Sequence, residues 1–382
     1  MEDDKQFKEG LEDVIAGTSA ICDVNGAEGK LIYAGYDIHD LAHNTTFEEV
    51  VYLLWNLRLP NEAELEAFKA ELDANRALPA DAVDLLSRIP KTAQPMDALR
   101  TAVSLLGIYD PDNGDESTEA NKRKAVRLVA QFGTIIATLN RQRSGLAPIA
   151  PKPGLSTAAN FLYMLLGHEP DTTAARALDV ALILHADHEL NASTFSARVT
   201  VATQADMYSA ITAAVGTLSG PLHGGANVNV MHLLEKIGTA DRADQIVSDM
   251  LAAGKKIPGI GHRVYRTLDP RAISLREMSQ QLVETTGDER WYEISERVQE
   301  AADRALQAKG KTTLKANVDF FSASVYHVLG IPTDLFTPVF AISRVAGWTA
   351  HVLEQLGNNR LIRPRAIYTG QRDLKVVPIS ER

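Results

Sequence analysis

The stretch "ALDVALILHADHEL", residues 177–190, is apolar on almost every side when it is wound as a helix. Such a helix is stable only when other helices cover most of it, so this stretch predicts a large helical body. Apolar residues at helical spacing recur in "FEEVVYLLWNL", residues 47–57, which Pro60 is expected to halt, and in "WYEISERVQEAADRAL", residues 291–306.

"DRADQIVSDMLAAGKK", residues 241–256, predicts a further helix. Its apolar residues fall on one face, Asp241 is the expected N-cap, and Gly254 is the expected stop.

The clearest strand signal is "AICDVNGAEGKLIYAGYDI", residues 20–38. Asn25 and Gly26 form a turn dipeptide there, and Gly29 follows, between short apolar runs typical of a hairpin. We therefore predict a mainly α fold with a small N-terminal β-hairpin.

Composition limits the functions open to the chain. With 382 residues, 45% of them hydrophobic and 23% charged, it has the length for about two or three domains and the composition of a compact protein. Its 39 basic and 49 acidic residues give a net charge of -10, which argues against nonspecific nucleic-acid binding. An anionic small molecule would have to meet a local cluster of arginines.

The single cysteine, Cys22, has no partner for an intrachain disulfide, which fits a reducing compartment. The acidic start "MEDDKQFKEGLEDVIAG" resembles neither a signal peptide nor an arginine-rich transit peptide. No apolar run approaches the roughly 18 residues of a membrane span. We therefore expect a cytoplasmic protein with no membrane segment.

Four segments punctuated by glycine or proline concentrate the side chains that carry chemistry. In one of these segments, residues 257–272, His262 follows two glycines, and Arg263, Arg266 and Arg271 come after it. Guanidinium groups spaced in this way suit a ligand with carboxylates or phosphates, although a solvated basic turn is the alternative. The four segments are "HADHELNAST" (185–194), "GPLHGGANVNV" (220–230), "IPGIGHRVYRTLDPRA" (257–272) and "ANVDFFSASVYHVLGIP" (316–332).

Asp319 lies between Val318 and two phenylalanines. A carboxylate in apolar surroundings becomes more basic, as a general base near neutral pH requires. It is equally placed to cap the helix that "FFSASVYHVLG" predicts, and taken alone the pattern favours the cap.

Histidines invite a metal hypothesis. His185 and His188 share a helix face at i and i+3, but their order is not the HExxH of zinc peptidases. We predict no metal, a core histidine at 185 and a ligand hydrogen-bonder at 188. "PGIGHR" is likewise no dinucleotide fingerprint. Taken alone, His223 in "GPLHGG" is typical of a tight turn.

The co-occurrence of these segments resembles the citrate synthase family over nearly the whole chain. Length and the short N-terminus resemble the smaller bacterial and archaeal citrate or 2-methylcitrate synthases. The resemblance implies a two-domain, mainly helical homodimer. The matching segments stand in the family's order: the hairpin, "DHELNASTFSARV", "GPLHGGAN", "PGIGHRVYRTLDPRA", "NVDFFSASVYHVLGIP", "SRVAGWTAHVLEQ" and "NRLIRPRAIYTG".

The family joins acetyl-CoA to oxaloacetate and hydrolyses citryl-CoA to citrate and CoA, the first step of the tricarboxylic acid cycle. The resemblance implies that Asp319 takes the methyl proton. It implies that His223 stabilises the enol or enolate oxygen, and that His262 polarises and protonates the oxaloacetate carbonyl. Each such acid-base group contributes about 10² to 10⁴ in rate, so positioning must supply the rest.

Substrate-binding residues are implied in the same way. For oxaloacetate they are His188, His262, Arg271 and Arg344, with Arg363 contributed by the partner subunit. For CoA, which enters as the co-substrate acetyl-CoA with no tightly bound cofactor, they are Ile257, Pro258, Gly259, Ile260, Gly261 and Arg266. Lys255, Lys256, Lys311 and Lys315 are candidates for further CoA contacts, and simple solvation of surface lysines is the alternative.

The family's domain organisation places a small helical domain at residues 225–330. The large domain would comprise residues 1–224 and 331–382. Gly224, Gly225 and Gly330 are then the candidate hinge residues for closure over the substrates, which would exclude water from the enolate.

The chain departs from many relatives at Ala34, Ala316 and Ala323. The first two lie away from the proposed chemistry. Ala323, where citrate-specific members commonly have glycine, leaves propionyl-CoA and 2-methylcitrate open, because a pocket discriminates one methylene by only about 1 to 3 kcal/mol. A non-catalytic helical metabolite-binding protein and a metal-dependent hydrolase are the remaining alternatives.

Overall fold

The computed structural model describes residues 7–12 and 14–382. The start of the predicted large domain, residues 1–6, and residue 13 lie outside the described residues. The first eight helices are α1 (Ile38–Asn44), α2 (Phe47–Asn56), α3 (Glu62–Asn75), α4 (Ala80–Ser87), α5 (Pro95–Tyr109), α6 (Thr118–Arg143), α7 (Thr157–Leu166) and α8 (Thr172–His185). The next eight are α9 (Ala192–Val201), α10 (Met207–Leu218), α11 (Ala226–Ile237), α12 (Ala243–Ala252), α13 (Pro270–Thr286), α14 (Arg290–Ala308), α15 (Val318–Val328) and α16 (Phe336–Gly357). Short 3-10 turns occur at Glu9–Leu11, Ala240–Arg242, Thr333–Leu335 and Ile379–Glu381.

The predicted hairpin is present and is extended by a third short strand. Strands β1 (Cys22–Asn25), β2 (Lys30–Tyr33) and β3 (Tyr36–Asp37) form one antiparallel sheet in that order. Cys22 pairs with Tyr33 and Asn25 with Lys30, so the predicted turn residues close the β1–β2 connection. The ring of Tyr33 is fully buried, which anchors the sheet on the helices.

The buried helices form where the apolar stretches predict them. Residues 177–185, the second half of α8, are all buried. Most of α16 is also buried, and it packs against α2, α6, α8, α9 and α10. Burying each large apolar side chain contributes about 1.5–3 kcal/mol, so α16 is a central element of the core. It carries Arg344 into that core.

Two details of the helix boundaries differ from prediction. Asp241 lies inside a 3-10 turn, and α12 begins at Ala243 after Arg242, with no side-chain cap. The predicted N-cap is therefore wrong, because the extra turn moves the helix start past Asp241. Gly254, with a φ of 68°, follows the end of α12 as a stop. The second difference is at the end of α2. The helix ends at Asn56, before Pro60 is reached, and Leu57 takes a left-handed conformation there.

After α16 the chain is irregular from residue 358 to its end, apart from one 3-10 turn, and it is exposed except at Ile362, which is half-buried. Helices α11 to α15 all lie within residues 225–330.

Candidate active site

Arg271 stands at the start of α13, where Asp269 caps the helix and Pro270 opens it. The carboxylate accepts from the Arg271 backbone N–H at 3.1 Å and binds its guanidinium at two points, 2.9 and 2.8 Å. Burial raises the pKa of Asp269, but the charge and hydrogen bonds of Arg271 outweigh that effect and lower it. Asp269 also accepts from the N–H of Val318 at 3.1 Å, which ties the start of α13 to the start of α15.

Asp319 does not cap α15. The N-cap is Asn317, whose side chain accepts from the Asp319 backbone N–H at 3.0 Å. The cap interpretation of Asp319 is therefore wrong, and its carboxylate is available for other chemistry. Burial raises the pKa of Asp319 to about 6, although Arg271 and Arg344 act in the opposite direction. A carboxylate with this pKa is suited to act as a base near neutrality.

His262 is held as a neutral hydrogen-bond donor. Its Nδ1 accepts from the backbone N–H groups of Val264 at 3.0 Å and Tyr265 at 3.2 Å. Since Nδ1 carries the lone pair, the hydrogen of the neutral ring lies on Nε2. Burial, together with the charge of Arg271, lowers the pKa of His262 to about 4.

His188 lies beside His262, with 5.3 Å between the ring centroids. Its Nε2 is 3.3 Å from the hydroxyl of Tyr265, which also stacks near His262 at 4.8 Å. Burial and the charge of Arg271 hold the pKa of His188 well below its usual value.

Arg344 enters the same region from α16. It is 2% exposed, its Nε donates to the carbonyl of His185 at 2.8 Å, and its guanidinium lies over the Phe340 ring at 4.6 Å. Its charge acts on His188 and Asp319, as the charge of Arg271 does. Two buried guanidinium groups within reach of one set of side chains form a site for a small anion.

His223 lies in the turn between α10 and α11. Its Nε2 is 2.8 Å from the Ser193 hydroxyl and accepts from the Ser193 backbone N–H at 3.3 Å. The hydrogen of the neutral ring is therefore on Nδ1, free to donate to a ligand. Burial and Arg344 lower the pKa of His223 to about 4. The indole of Trp348 donates to Ser193 Oγ at 3.0 Å and fixes this contact.

The structure explains why residue 224, next to His223, is a glycine. A Cβ there would lie 2.4 Å from the carbonyl oxygen of Leu218, closer than real contacts allow. The Gly224 carbonyl accepts from the Thr337 hydroxyl at 2.9 Å. The glycine thus lets the His223 turn pack closely on α10 and α16.

The turn at residues 257–261 is anchored beside α15. Gly261 donates from its N–H to the carbonyl of Lys315 at 2.7 Å, and the Asn317 N–H donates to the carbonyl of Gly259 at 2.9 Å. Ile260 forms an isolated bridge with Ala316. Gly259 has a φ of 73° and packs against Phe320, where a Cβ would clash.

Several predicted residues lie apart from this cluster. The side chains of Arg263 and Arg266 are exposed, as are those of Lys255, Lys256 and Lys311. Lys315 pairs with Asp303 at 2.9 Å. Arg363 is exposed in the segment after α16.

Four residues that hold the side chains of this cluster in place were not identified from the sequence. They are Asp269, Tyr265, Ser193 and Trp348. An Asp-Pro pair before a helix is a readable capping signal, so Asp269 had a local signature. The other three reach the site through contacts between distant segments.

Among residues 7–12 and 14–382, no helix has the length and apolar character to cross a membrane. Within the same residues, no three histidine, cysteine or acidic side chains are grouped as a metal site.

A helical fold that brings together a basic carboxylate, two neutral imidazole donors and buried arginines has the groups that an enzyme needs to remove a proton next to a carbonyl group. The family profile "Citrate synthase, C-terminal domain" matches residues 10–365. A Bacillus subtilis protein named citrate synthase 2 is 51% identical, and a Haloferax volcanii citrate synthase is 48% identical; the alignments cover 98% and 99% of both chains. A Shewanella oneidensis 2-methylcitrate synthase is 43% identical over 98% of this chain and 97% of its own.

A citrate synthase from Thermoplasma acidophilum, solved as a ternary complex with carboxymethyl coenzyme A and oxaloacetate, superposes with a TM-score of 0.91 at 32% identity. The match covers 99% of this chain and all of that one. The chain belongs to the citrate synthase family. The predictions of the fold, the family and acyltransferase activity are confirmed.

Proposed function

We propose that the chain condenses acetyl-CoA with oxaloacetate and hydrolyses the citryl-CoA formed to citrate and CoA. The observation that carries this proposal is the raised pKa of Asp319, close to two arginines and to imidazole groups held as neutral donors. The high identity to proteins named citrate synthase also supports it.

Oxaloacetate binds first. Arg271 and Arg344 neutralise its carboxylates, and His188 and the Nε2–H of His262 hydrogen-bond the small dianion and orient its ketone. Because Asp269 occupies two donor atoms of Arg271, that guanidinium is held rigidly and offers its remaining N–H groups to the substrate.

Enolisation and condensation follow. The Asp319 carboxylate takes a proton from the methyl group of acetyl-CoA, while the Nδ1–H of His223 donates to the thioester oxygen that becomes the enolate. The enolate carbon attacks the keto carbon of oxaloacetate, and His262 gives its Nε2 proton to the new alkoxide. The proton that Asp319 took from the methyl group then restores the neutral imidazole of His262. Water then cleaves the thioester, which releases CoA as a thiol.

CoA is bound by the turn at residues 257–261 and by Arg266, with Lys255, Lys256, Lys311 and Lys315 as further contacts. The hydrogen bonds that fix the turn against residues 315–317 support a preformed recess next to Asp319. Lys315 already pairs with Asp303, so its contribution is the weakest.

We assign residues 225–330 to a small domain and residues 1–224 with 331–382 to a large one, hinged at Gly224, Gly225 and Gly330. The chain acts as a homodimer in the cytoplasm, and Arg363 completes the site of the partner subunit. The exposure of Arg363, in an irregular segment away from its own cluster, supports this role.

The acyl donor is acetyl-CoA, with propionyl-CoA as the second candidate. Ala323 is buried on α15 one helical turn after Asp319, so its side chain lies on the same face of the helix as the proposed base. The 2-methylcitrate synthase match, at 43% identity, is less similar to this chain than the Bacillus subtilis and Haloferax volcanii citrate synthases, at 51% and 48%, which favours acetyl-CoA.

Release of free thiol from each acyl-CoA in the presence of oxaloacetate tests the proposal. We expect release with acetyl-CoA and a kcat/KM for propionyl-CoA lower by about 10- to 200-fold. A preference for propionyl-CoA would establish 2-methylcitrate synthesis instead. No release with either donor would favour a non-catalytic binding protein. Loss of activity in excess chelator would point to the metal-dependent alternative.

A further inference from the structure

Asp187 and His351 form a buried pair that has no part in the proposed chemistry. Both side chains are 0% exposed, and the His351 Nε2 lies 3.3 Å from the Asp187 Oδ2. His351 follows Arg344 on α16 by seven residues, two helical turns later, so both side chains point from the same face. Gly347 lies between them, and its N–H donates to the carbonyl of Ala186 at 3.1 Å.

Arg198 determines which ring nitrogen of His351 carries the hydrogen. The Arg198 Nη1 lies 3.0 Å from the His351 Nδ1, and because a guanidinium only donates, Nδ1 accepts and Nε2 carries the hydrogen toward Asp187. Arg198 is held in turn by Gln355 at 3.0 Å and Glu354 at 2.5 Å. Burial raises the pKa of Asp187, but His351 and Arg344 outweigh it and lower the pKa.

Asp187 also fixes the backbone on both sides of His188. Its Oδ2 accepts from the N–H of Glu189 at 3.0 Å, and Glu189 has a φ of 54°. The Tyr33 hydroxyl donates to the Asp187 carbonyl at 2.9 Å and accepts from the Asp187 N–H at 3.1 Å. The turn that presents His188 is thus fastened to α16 and to β2.

Gly347 shows how closely the turn and α16 are packed. A Cβ at this position would lie 2.4 Å from the Asp187 Oδ1 and 2.4 Å from the Ala186 carbonyl oxygen. The pair therefore has little room to take up a second arrangement.

We propose that Asp187 and His351 are positioning residues that set His188 against Arg344 and so determine the affinity for oxaloacetate. This inference rests on the proposed function. A buried polar pair often contributes little net stability compared with apolar residues, so a role in specifying geometry would account for its presence. Its loss would displace His188 while leaving the CoA turn in place.

The test compares His351→Gln with His351→Leu. A glutamine side chain retains one donor for Asp187 and one acceptor for Arg198, whereas leucine retains neither. We expect the leucine variant to raise the KM and the calorimetric Kd for oxaloacetate by about 10- to 100-fold, with the KM for acetyl-CoA nearly unchanged. The glutamine variant should recover most of the loss.

Tyr208→Phe is the matched control, since it removes a buried hydrogen bond to Asp110, 2.5 Å long, outside the site. It should lower stability with no change in oxaloacetate affinity. An unchanged oxaloacetate Kd in a folded His351→Leu protein overturns the inference. If that variant does not fold, Asp187→Asn must show the same selective loss, or the inference fails. Wild-type protein that binds oxaloacetate but releases no thiol refutes the proposed function alone, and wild type without binding refutes both.

Discussion

The Nε2 of His223 lies 2.8 Å from the hydroxyl of Ser193, whose backbone N–H donates to the same nitrogen at 3.3 Å. Ser193 is at the start of α9, and His223 is in the turn between α10 and α11. The contact leaves the one N–H of the neutral imidazole on Nδ1. His262 is arranged in a similar way, with two backbone N–H groups on Nδ1 and its hydrogen on Nε2. Each imidazole is thus prepared to donate before a substrate arrives.

Ser193→Ala should lower kcat by about 10- to 100-fold, because His223 loses part of its orientation while its N–H remains. The KM for oxaloacetate should change little. A larger primary isotope effect with methyl-deuterated acetyl-CoA would show that enolisation has become slower. Tyr208→Phe is the control, since it removes a buried hydrogen bond to Asp110 outside the site and should leave kcat unchanged. A Ser193→Ala protein with wild-type kcat would contradict the assigned role.

The pH dependence of kcat/KM should show an acid limb near pH 6. Asp319 must be ionised to accept the methyl proton, and burial raises its pKa to about 6, so activity should rise with pH through this value. His262 and His223, with pKa values lowered to about 4, stay neutral throughout the limb. Steady-state measurement of kcat/KM between about pH 5 and pH 8 would determine it. A flat profile would mean that proton abstraction does not limit turnover or that Asp319 is not the base.

Asp319→Asn should nearly abolish turnover and raise the free energy of unfolding at neutral pH by roughly 1–3 kcal/mol. The folded pKa lies above the unfolded value, so the unfolded chain ionises first as the pH rises. The stability cost of Asp319 is therefore absent below about pH 4 and develops up to about pH 6. Urea unfolding of both proteins at several pH values measures the difference. A stability gain that persists unchanged at low pH would point to packing rather than charge, and loss of oxaloacetate binding would assign Asp319 to substrate binding.

Local sequence patterns were sufficient to predict the fold, but they predicted only part of the site. The apolar stretch in α8 predicts a buried helix because an unbroken apolar run, which covers every side of a helix, can be recognised from consecutive residues alone. Asp269 has a local capping signature, whereas Ser193, the partner of His223, comes from α9, 30 residues earlier in the chain, and is itself held by Trp348 of α16. Which helix faces meet depends on packing over the whole domain, and the spacing of residues along the chain does not encode it in readable form. The prediction of Asp241 as the N-cap of α12 was wrong for a different reason. Two local motifs are adjacent there, and Asp241 belongs to the 3-10 turn that precedes the helix.

If Arg363 completes the partner's site, Arg363→Ala and Asp319→Asn should each inactivate their own homodimers and restore activity when mixed. In a mixed dimer, the site with an intact Asp319 receives Arg363 from the other subunit, while the second site lacks both. Random exchange of equal amounts should therefore recover about a quarter of the wild-type sites. Thiol release after denaturation and joint refolding measures this, with separately refolded variants as controls. Mixing without recovery, when mass spectrometry finds mixed dimers, would place Arg363 in its own subunit's site or outside the chemistry.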